Sequence, residues 1–303
     1  MLMLLYNLRF GWWNTALSPA APKAKTRANE ENLAIVCEHI KRLLFTYSID
    51  FLALCEVSDY DMANIEKKFP EENIKWLSLA DAVGRSRFDI GVAYNHSRVS
   101  IEHKDRLIEK QQGNYIKAAQ HVKLTNLDDG EEVNIFLCHW PSRLLDENRE
   151  KRREAAKIVS HSAKKLMENG EHVIVMGDFN SNPYHDEMNV TLKATRCHET
   201  VKKYHDELFY NPFWRSMIPK RTYHYTNSEE PFRSGTIKGK PNNDSMWNSF
   251  DQIIVSGSFL QNKDWHLHEN QTRPIEYQEL LNHFDDKNCF IDHLPVVCEI
   301  QRA

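Results

Sequence analysis

The chain has 303 residues, 41% of them hydrophobic and 11% aromatic, which is enough for one large α/β domain or two small ones. Its net charge is −4 with the histidines neutral, and this excludes a strongly basic protein that coats nucleic acid without sequence preference. No apolar run approaches the roughly 18 residues that a membrane-spanning helix needs, so we expect no membrane contact.

Predicted strands and helices alternate along the chain. The first ten residues are apolar but lack a basic start and a cleavage site of small residues, so we predict a first strand and not a signal peptide. Helical spacing of apolar residues predicts helices over 29–47 and 147–168. Apolar runs predict strands over 2–9, 51–55, 90–94, 118–124, 134–138, 173–176, 252–255 and 296–300.

These elements favour a layered α/β fold. The runs 118–124 and 134–138 lie on either side of the turn sequence Asp128-Asp129-Gly130, which predicts a hairpin and largely antiparallel sheets. Residues 181–247 are polar and aromatic and predict a long irregular loop region, of a kind that is usually functional or disordered. Because no repeat or linker divides the sequence, we expect residues 1–303 to form a single domain.

Six cysteines are spread along the chain, and none forms a C-x-x-C pair, so we expect no zinc site. Cys55, Cys138 and Cys298 lie within apolar runs and are predicted to be buried thiols. Such thiols are typical of a reducing compartment, and we therefore expect a cytoplasmic protein.

Two stretches place acidic side chains beside apolar runs. Asp178 and Asn180 follow a strand-like run that stops at Gly177, and because strand side chains alternate faces, both can point the same way. Asp292 and His293 are neighbours between apolar residues near the end of the chain. A metal ion and a phosphate would account for both stretches. Either stretch alone also fits a plain turn or a capped loop with a structural histidine.

Five further positions show a polar residue at the end of an apolar run. Taken singly, each has a structural explanation, such as a surface acid, a core histidine or a cap. They are Asn14 after Trp13, Glu56 after 52–55, Asp89 before 90–94, His139 after 134–138, and Asp251 before 252–255.

In this order, the seven motifs resemble those of the endonuclease/exonuclease/phosphatase superfamily, which contains pancreatic-type deoxyribonuclease, apurinic repair endonucleases, inositol polyphosphate 5-phosphatases and neutral sphingomyelinases. Its most specific parts here are Gly177-Asp178-Phe179-Asn180 and Asp292-His293-x-Pro-Val. The resemblance implies a four-layer αββα sandwich like that of deoxyribonuclease I, with two mainly antiparallel sheets face to face and helices outside. It also implies Mg²⁺ or Mn²⁺ at one end of the sheets.

The resemblance further implies a role for each matching residue. Glu56, with Asn14 and Asp292 near it, would hold the divalent ion, since oxygen ligands suit a hard cation. Asp178 would orient or deprotonate the attacking water, and Asn180 would fix that water or a phosphate oxygen.

The remaining positions would handle charge on the phosphate. Asp251 would bond His293 and favour its charged form, so that His293 donates to a phosphate oxygen. His139 would contact phosphate or act as an acid, with Asp89 as its orienting partner. Lys117 would be a basic phosphate contact.

The substrate is the least defined part of the prediction. The stretches 139–143, 211–214 and 247–252 resemble bacterial members of the superfamily that are described as nucleases. Trp214 and Arg221 lie among aromatic rings and cations between 213 and 240, and we predict that they bind a nucleic acid strand. The alternative is an ordinary surface loop. We therefore expect a DNA or RNA nuclease; the alternatives are a phosphatase or phosphodiesterase acting on a small nucleotide or lipid head group, and a binding module without activity.

Overall fold

The computed structural model describes residues 6–20, 25–70, 73–111, 113–143, 149–219, 224–226, 233–239, 245–261 and 265–302. Its strands, in chain order, are β1 (Tyr6–Asn14), β2 (Phe51–Cys55), β3 (Ile74–Ser78), β4 (Asp81–Val83), β5 (Ser86–Phe88), β6 (Ile90–Asn95), β7 (Val99–Gln111), β8 (Asn114–Asn126), β9 (Glu132–His139), β10 (His172–Asp178), β11 (Ala194–Thr195), β12 (Phe209–Tyr210), β13 (Ile237–Lys238), β14 (Trp247–Asn248), β15 (Asp251–Ser256), β16 (Trp265–Leu267), β17 (Arg273–Pro274) and β18 (Val296–Arg302).

The α-helices are α1 (Glu30–Lys41), α2 (Asp59–Glu66), α3 (Glu150–Glu168), α4 (His198–Lys203) and α5 (Gln278–Asp285). Two π-helical turns, Arg42–Thr46 and Glu187–Thr191, and three 3₁₀ turns, Pro212–Met217, Gly257–Leu260 and Glu269–Gln271, complete the set. Helix α2 starts at a capping box, in which Ser58 and Asp61 each accept from the other's backbone N–H. Among the described residues, no helix is long and apolar enough to cross a membrane.

Two seven-stranded sheets form the centre of the molecule. The first has the order β16-β18-β1-β2-β6-β3, with β17 also paired to β18, and the second has the order β11-β12-β15-β10-β9-β8-β7. Most neighbours are antiparallel, while β1 with β2, β9 with β10, and β11 with β12 run parallel. The hairpin predicted around Asp128-Asp129-Gly130 is the antiparallel pair of β8 and β9.

Three apolar clusters separate four layers. One cluster lies between the sheets and joins residues such as Phe10 and Val92 to Ile135 and Ile253. A second packs α1, α2 and α5 on the outer face of the first sheet, and a third packs α3 on the outer face of the second. The predicted αββα sandwich is therefore confirmed. Cys55, Cys138 and Cys298 are fully buried, as predicted.

Gly177 allows β10 to lie very close to its parallel neighbour β9. A Cβ atom at this position would lie 2.1 Å from the carbonyl oxygen of Cys138 on the parallel neighbour β9. Only glycine allows the two backbones to approach this closely. The close approach places the ends of β9 and β10 side by side. The polar residues at these ends therefore lie together at one edge of the second sheet, namely the edge formed by the ends of its strands.

Candidate active site

Three polar residues meet at that edge because of strand register. Asp178 is paired directly with His139 on one side and with Asp251 on the other. On the facing sheet, Asn14 is paired with Cys55, so Glu56 follows immediately at the matching edge. The predicted residues of both sheets thus converge at one end of the sandwich.

His293 is held by Asp251 across the two sheets. Its Nδ1 donates to Asp251 Oδ2 over 2.7 Å, and its Nε2 lies 3.8 Å from Asp178 Oδ2. Burial lowers the pKa of His293, but the carboxylates of Asp251 and Asp178 outweigh this and hold that pKa well above its ordinary value. The imidazole is therefore a fixed, charged donor whose Nε2 points towards Asp178.

Asp251 is itself fixed by two residues that sequence reasoning missed. Trp12 Nε1 donates to its Oδ1 over 3.1 Å, and Thr236 Oγ1 donates to its Oδ2 over 2.7 Å. Trp13 in turn donates through Nε1 to the backbone oxygen of His293 over 3.1 Å. The paired tryptophans after the first apolar run were the available signal, whereas Thr236 lies in a polar stretch and had none.

Asp178 sits at the centre of the group. Asn14 Nδ2 donates to Asp178 Oδ2 over 3.1 Å, and the backbone N–H of Asn180 donates to Oδ1 over 2.9 Å. Burial raises the pKa of the Asp178 carboxyl, and the charge of His293 reverses only part of this. A carboxylate with a raised pKa is a better proton acceptor for a water molecule. Asn180 is anchored separately, since its Nδ2 donates to the backbone oxygen of Trp140 over 3.0 Å.

His139 and Asp89 form a second pair across the sheets. His139 Nδ1 lies 3.0 Å and 3.1 Å from the two Asp89 oxygens, and Asp89 is fully buried. Burial lowers the pKa of His139, but Asp89 raises it more strongly, and the pKa comes to about 9. The pKa of Asp89 is lowered below its ordinary value, because His139 overcomes the opposite effect of burial. Both side chains are therefore charged at neutral pH.

Glu56 has the features of a metal ligand. Its backbone is left-handed, with φ of 56°. Burial raises the pKa of its carboxyl, and the nearby acids Asp89 and Asp292 raise it further, against the effect of His139 and His293. No hydrogen-bond donor within the described part of the chain satisfies this carboxylate. A hard divalent cation fits such a donor set, with Asn14 and the exposed Asp292 at hand.

Ligand-type atoms also converge in two other groups. They are Cys55 with Asp89 and His139, and Asp178 with Asp251 and His293, each within 4.8 Å. In both groups a histidine already bonds an acid, so these atoms serve each other. The oxygens of Glu56 have no such partner among the described residues, and its role as a metal ligand stays a prediction.

A cleft of about 400 Å³ opens beside Glu56 and His139. Lys117 lines it, donates to the backbone oxygen of Arg87, and lies 5.7 Å from the ring centre of Phe88. Burial lowers the pKa of Lys117, and Asp89 opposes this shift. Tyr115, Trp140 and Lys151 complete the aromatic and basic part of the wall.

Of the two predicted loop residues, the structure describes only Trp214, and it does not bring Trp214 into this group. Trp214 is half-buried, with the guanidinium of Arg196 lying 5.5 Å from its ring centre, and none of its described contacts reaches the residues around Asp178. Arg221 lies outside the described residues. Their role in substrate binding stays a prediction.

Comparison with known proteins identifies the family of this chain. The model of the Endonuclease/Exonuclease/phosphatase family matches residues 23–288. The comparison with curated proteins gives no match.

Solved structures share the fold over nearly the whole chain. The human Nocturnin catalytic domain with bound sulfate has a TM-score of 0.60 at 14% identity, covering 98% of this chain and 95% of that chain. The mannosyl-6-phosphatase of Bacteroides thetaiotaomicron has 0.59 at 15%, with 97% and 99% covered. D. rerio TDP2 complexed with a single strand DNA product has 0.58 at 13%, with 97% and 98% covered. The chain therefore belongs to the endonuclease/exonuclease/phosphatase family and is a phosphoric ester hydrolase.

Proposed function

We propose that the protein is a nuclease, a divalent-metal-dependent hydrolase of phosphodiester bonds in DNA or RNA. The observation that carries the proposal is the joint presence of two carboxylates with a raised pKa, Glu56 and Asp178, and two charged histidines at a single end of the sandwich. Among the described residues, the Glu56 carboxylate accepts no hydrogen bond. A phosphodiester repels nucleophiles and expels a poor alkoxide, so its hydrolysis needs cationic groups around the phosphate and a base for the water.

Each residue then has a defined task. Asp178 accepts a proton from the attacking water and orients this water in line with the leaving oxygen. Asn180 positions the same water or a phosphate oxygen. His293 donates through Nε2 to a phosphate oxygen, and Asp251 keeps it charged. His139, charged through Asp89, contacts the phosphate or protonates the leaving oxygen. General acid–base assistance of this kind contributes roughly 10²–10⁴-fold to a rate.

Glu56, Asn14 and Asp292 would hold Mg²⁺ or Mn²⁺. When bound, the ion supplies Lewis-acid stabilisation of charge on the phosphate. Oxygen ligands favour these hard cations over softer metals.

The cleft supports a nucleic acid substrate. Its Tyr115 ring is half exposed, and Lys117 and Lys151 stand in the same wall, so that bases and phosphates both find complementary groups. The fold is shared with a protein solved with a single strand DNA product, and equally with a mannosyl-6-phosphatase. A small phosphate ester therefore remains the alternative substrate, and experiment separates the two.

The cysteines support a reducing compartment, the cytoplasm, as the place of action. All six are free thiols, and four of them are buried. A protein built for an oxidising compartment would be expected to pair them.

The test compares labelled single- and double-stranded DNA and RNA with sugar phosphates and lipid head groups, each with Mg²⁺, with Mn²⁺ and with a chelator. We expect metal-dependent cleavage of polynucleotides, and a loss on the order of 10³-fold or more in turnover for Asp178→Asn, as for central members of a catalytic unit. Release of phosphate from a small monoester, with polynucleotides intact, would replace the nuclease by a phosphatase. Undiminished cleavage by Asp178→Asn would refute the role of that residue.

A further inference from the structure

Three loops leave the second sheet side by side next to Asp178. They follow β9, follow β10 and precede β15, and two backbone bonds tie them together. Trp140 N donates to Asp178 O over 3.0 Å, and Phe179 N donates to Phe250 O over 3.0 Å. Polar side chains of these loops form a cluster to which neither the sequence analysis nor the reaction described above gives a role. Its members are Arg143, Asn182, His185 and Asn248.

The orientation of the Asn248 amide is fixed by its neighbours. Its Oδ1 accepts from Asn182 Nδ2 over 2.9 Å and also faces Arg143 Nη2 at 3.5 Å. Asn182 cannot turn, because its own Oδ1 accepts from the backbone N–H of Ser249 over 2.8 Å. Because two donors face the same atom of the Asn248 amide, that atom is the oxygen and the other is the nitrogen. The Nδ2 group of Asn248 therefore points away from them, and within the described residues it donates to no acceptor.

Arg143 stands beside this amide as a cation. Its guanidinium lies 4.8 Å from the ring centre of Phe250, the neighbour of Asp251, and this places it on the flank of the reaction centre. His185 Nδ1 accepts from the backbone N–H of Asn182 over 3.0 Å, so a neutral ring carries its hydrogen on Nε2, 3.5 Å from Arg143 Nη2. The acid nearest to His185 in this cluster, Glu187, is paired with Arg152.

We propose that Arg143 and Asn248 form a subsite for a second phosphate group, the neighbour of the phosphate that is hydrolysed. The proposal rests on the proposed nuclease function and narrows its substrate to an oligonucleotide, as opposed to an ester with a single phosphate. A planar guanidinium suits two phosphate oxygens, and an oriented amide N–H adds a directional donor. Anchoring beside the reaction centre would hold the scissile bond in line with the attacking water.

The experiment uses three thymidine dinucleotides that share one phosphodiester. TpT has no other phosphate, pTpT adds one at the 5′ end, and TpTp adds one at the 3′ end. We expect one of the added phosphates to raise kcat/KM by about ten- to hundred-fold, the effect of a hydrogen bond to a charged group. The readout is the ratio of kcat/KM with and without the added phosphate.

Variants test whether Arg143 and Asn248 cause the increase in kcat/KM. Asn248→Ala and Arg143→Gln should each bring the ratio down towards one, and Asn248→Asp should lower it further, because a carboxylate repels the phosphate. Arg143→Lys should restore part of it. Arg85→Ala is the matched control, since Arg85 is an exposed arginine at a neighbouring cleft, and it should keep the wild-type ratio. Thermal unfolding of each variant shows that the fold is retained.

Two results would overturn the subsite. A wild-type ratio near one, or a ratio that Asn248→Ala and Arg143→Gln leave unchanged, would overturn the subsite while TpT hydrolysis still supported the nuclease. If no dinucleotide is hydrolysed, the nuclease is judged on polynucleotides alone, and calorimetric binding of TpT, pTpT and TpTp to the intact protein still tests the subsite. In that case, equal affinity for all three would overturn it.

Discussion

At the scale of single residues, the pair of His139 and Asp89 links stability to pH. The pKa of His139 is about 9 in the folded chain, against about 6.5 for an unperturbed histidine. A pKa raised by folding means that the folded state binds the proton more tightly than the unfolded state. The stabilisation is therefore complete below about pH 6.5 and is lost as the pH rises through about 9.

We predict that His139→Gln lowers the free energy of unfolding most near pH 6 and that the difference from the wild type shrinks towards pH 10, as linkage to one proton requires. Denaturant unfolding of both proteins in metal-free buffer measures it. His161→Gln, on the exposed side of α3, is the control and should show no such trend. A difference that stays constant across this range would mean that the pair is not charged in the folded chain.

Residues that follow apolar runs were predictable, because strand alternation and the order of motifs apply to the sequence directly. Asp178, His139 and Asp251 all lie at one sheet edge for that reason. Thr236 was not predictable as part of the site, and the stretch 247–252 gave Asn248 no role of its own. Their importance comes only from contacts between distant segments, and a threonine or asparagine in a polar stretch carries no periodic signal.

At the scale of elements, a buried ion pair joins α3 to the two loops that follow His139 and Asp178. Arg152 Nε lies 3.4 Å from Glu187 Oε1, and Arg152 Nη1 donates to the backbone oxygen of Pro141 over 3.0 Å. Ser181 donates to the same Glu187 oxygen. Both charged side chains are almost inaccessible. The pair therefore fixes the loops after β9 and β10 relative to each other.

We predict that Arg152→Met or Glu187→Met alone lowers the free energy of unfolding by about 3–5 kcal/mol, because each leaves a buried charge without its partner. The double variant should lose clearly less than the two single losses added together. Denaturant unfolding of the four proteins forms the cycle. The exposed pair of Lys157 and Glu154 is the control, and Lys157→Ala should cost less than about 1 kcal/mol. Additive losses at Arg152 and Glu187 would show that the pair does not act as a unit.

Long elements were easier to predict from sequence than short ones. The periodic apolar residues of 147–168 match α3, and the run 51–55 coincides with β2. The edge strand β7 was missed, since much of its surface is exposed and its charged side chains hide the alternation. The π-helical turn that carries Glu187 follows from tertiary contacts of that residue and has no local pattern.

At the scale of the whole molecule, several side-chain bonds among the described residues join the two sheets at the active end, and one of them is the bond from Trp12 to Asp251. Asn14 bonds Asp178, His293 bonds Asp251, and His139 bonds Asp89. The apolar clusters beneath them are formed entirely by side chains of the protein. We therefore expect the fold to persist without an ion, whereas the proposed hydrolysis depends on one.

We predict that a chelator abolishes hydrolysis and leaves the secondary structure intact by circular dichroism. Mg²⁺ should raise the unfolding temperature in a concentration-dependent way, and the stabilisation at one hundred times Kd is about 2.7 kcal/mol. Glu56→Gln should weaken this response to Mg²⁺, while Glu66→Gln, at the end of α2, should keep it. Unfolding on chelation would contradict the assignment, and so would an unchanged Mg²⁺ response in Glu56→Gln.

The left-handed backbone of Glu56 lowers the stability of the fold at a residue that the proposed activity needs. A residue other than glycine in this conformation costs roughly 1–2 kcal/mol, and here the residue also carries a half-buried carboxylate whose pKa is raised. We expect glycine or asparagine to relieve both costs, so that the protein becomes more stable as it loses the proposed ligand for the ion. A population of variants selected only for heat resistance would thus tend to lose the glutamate at this position. Continued presence of glutamate at 56 would record selection for turnover, sustained against the preference of the fold.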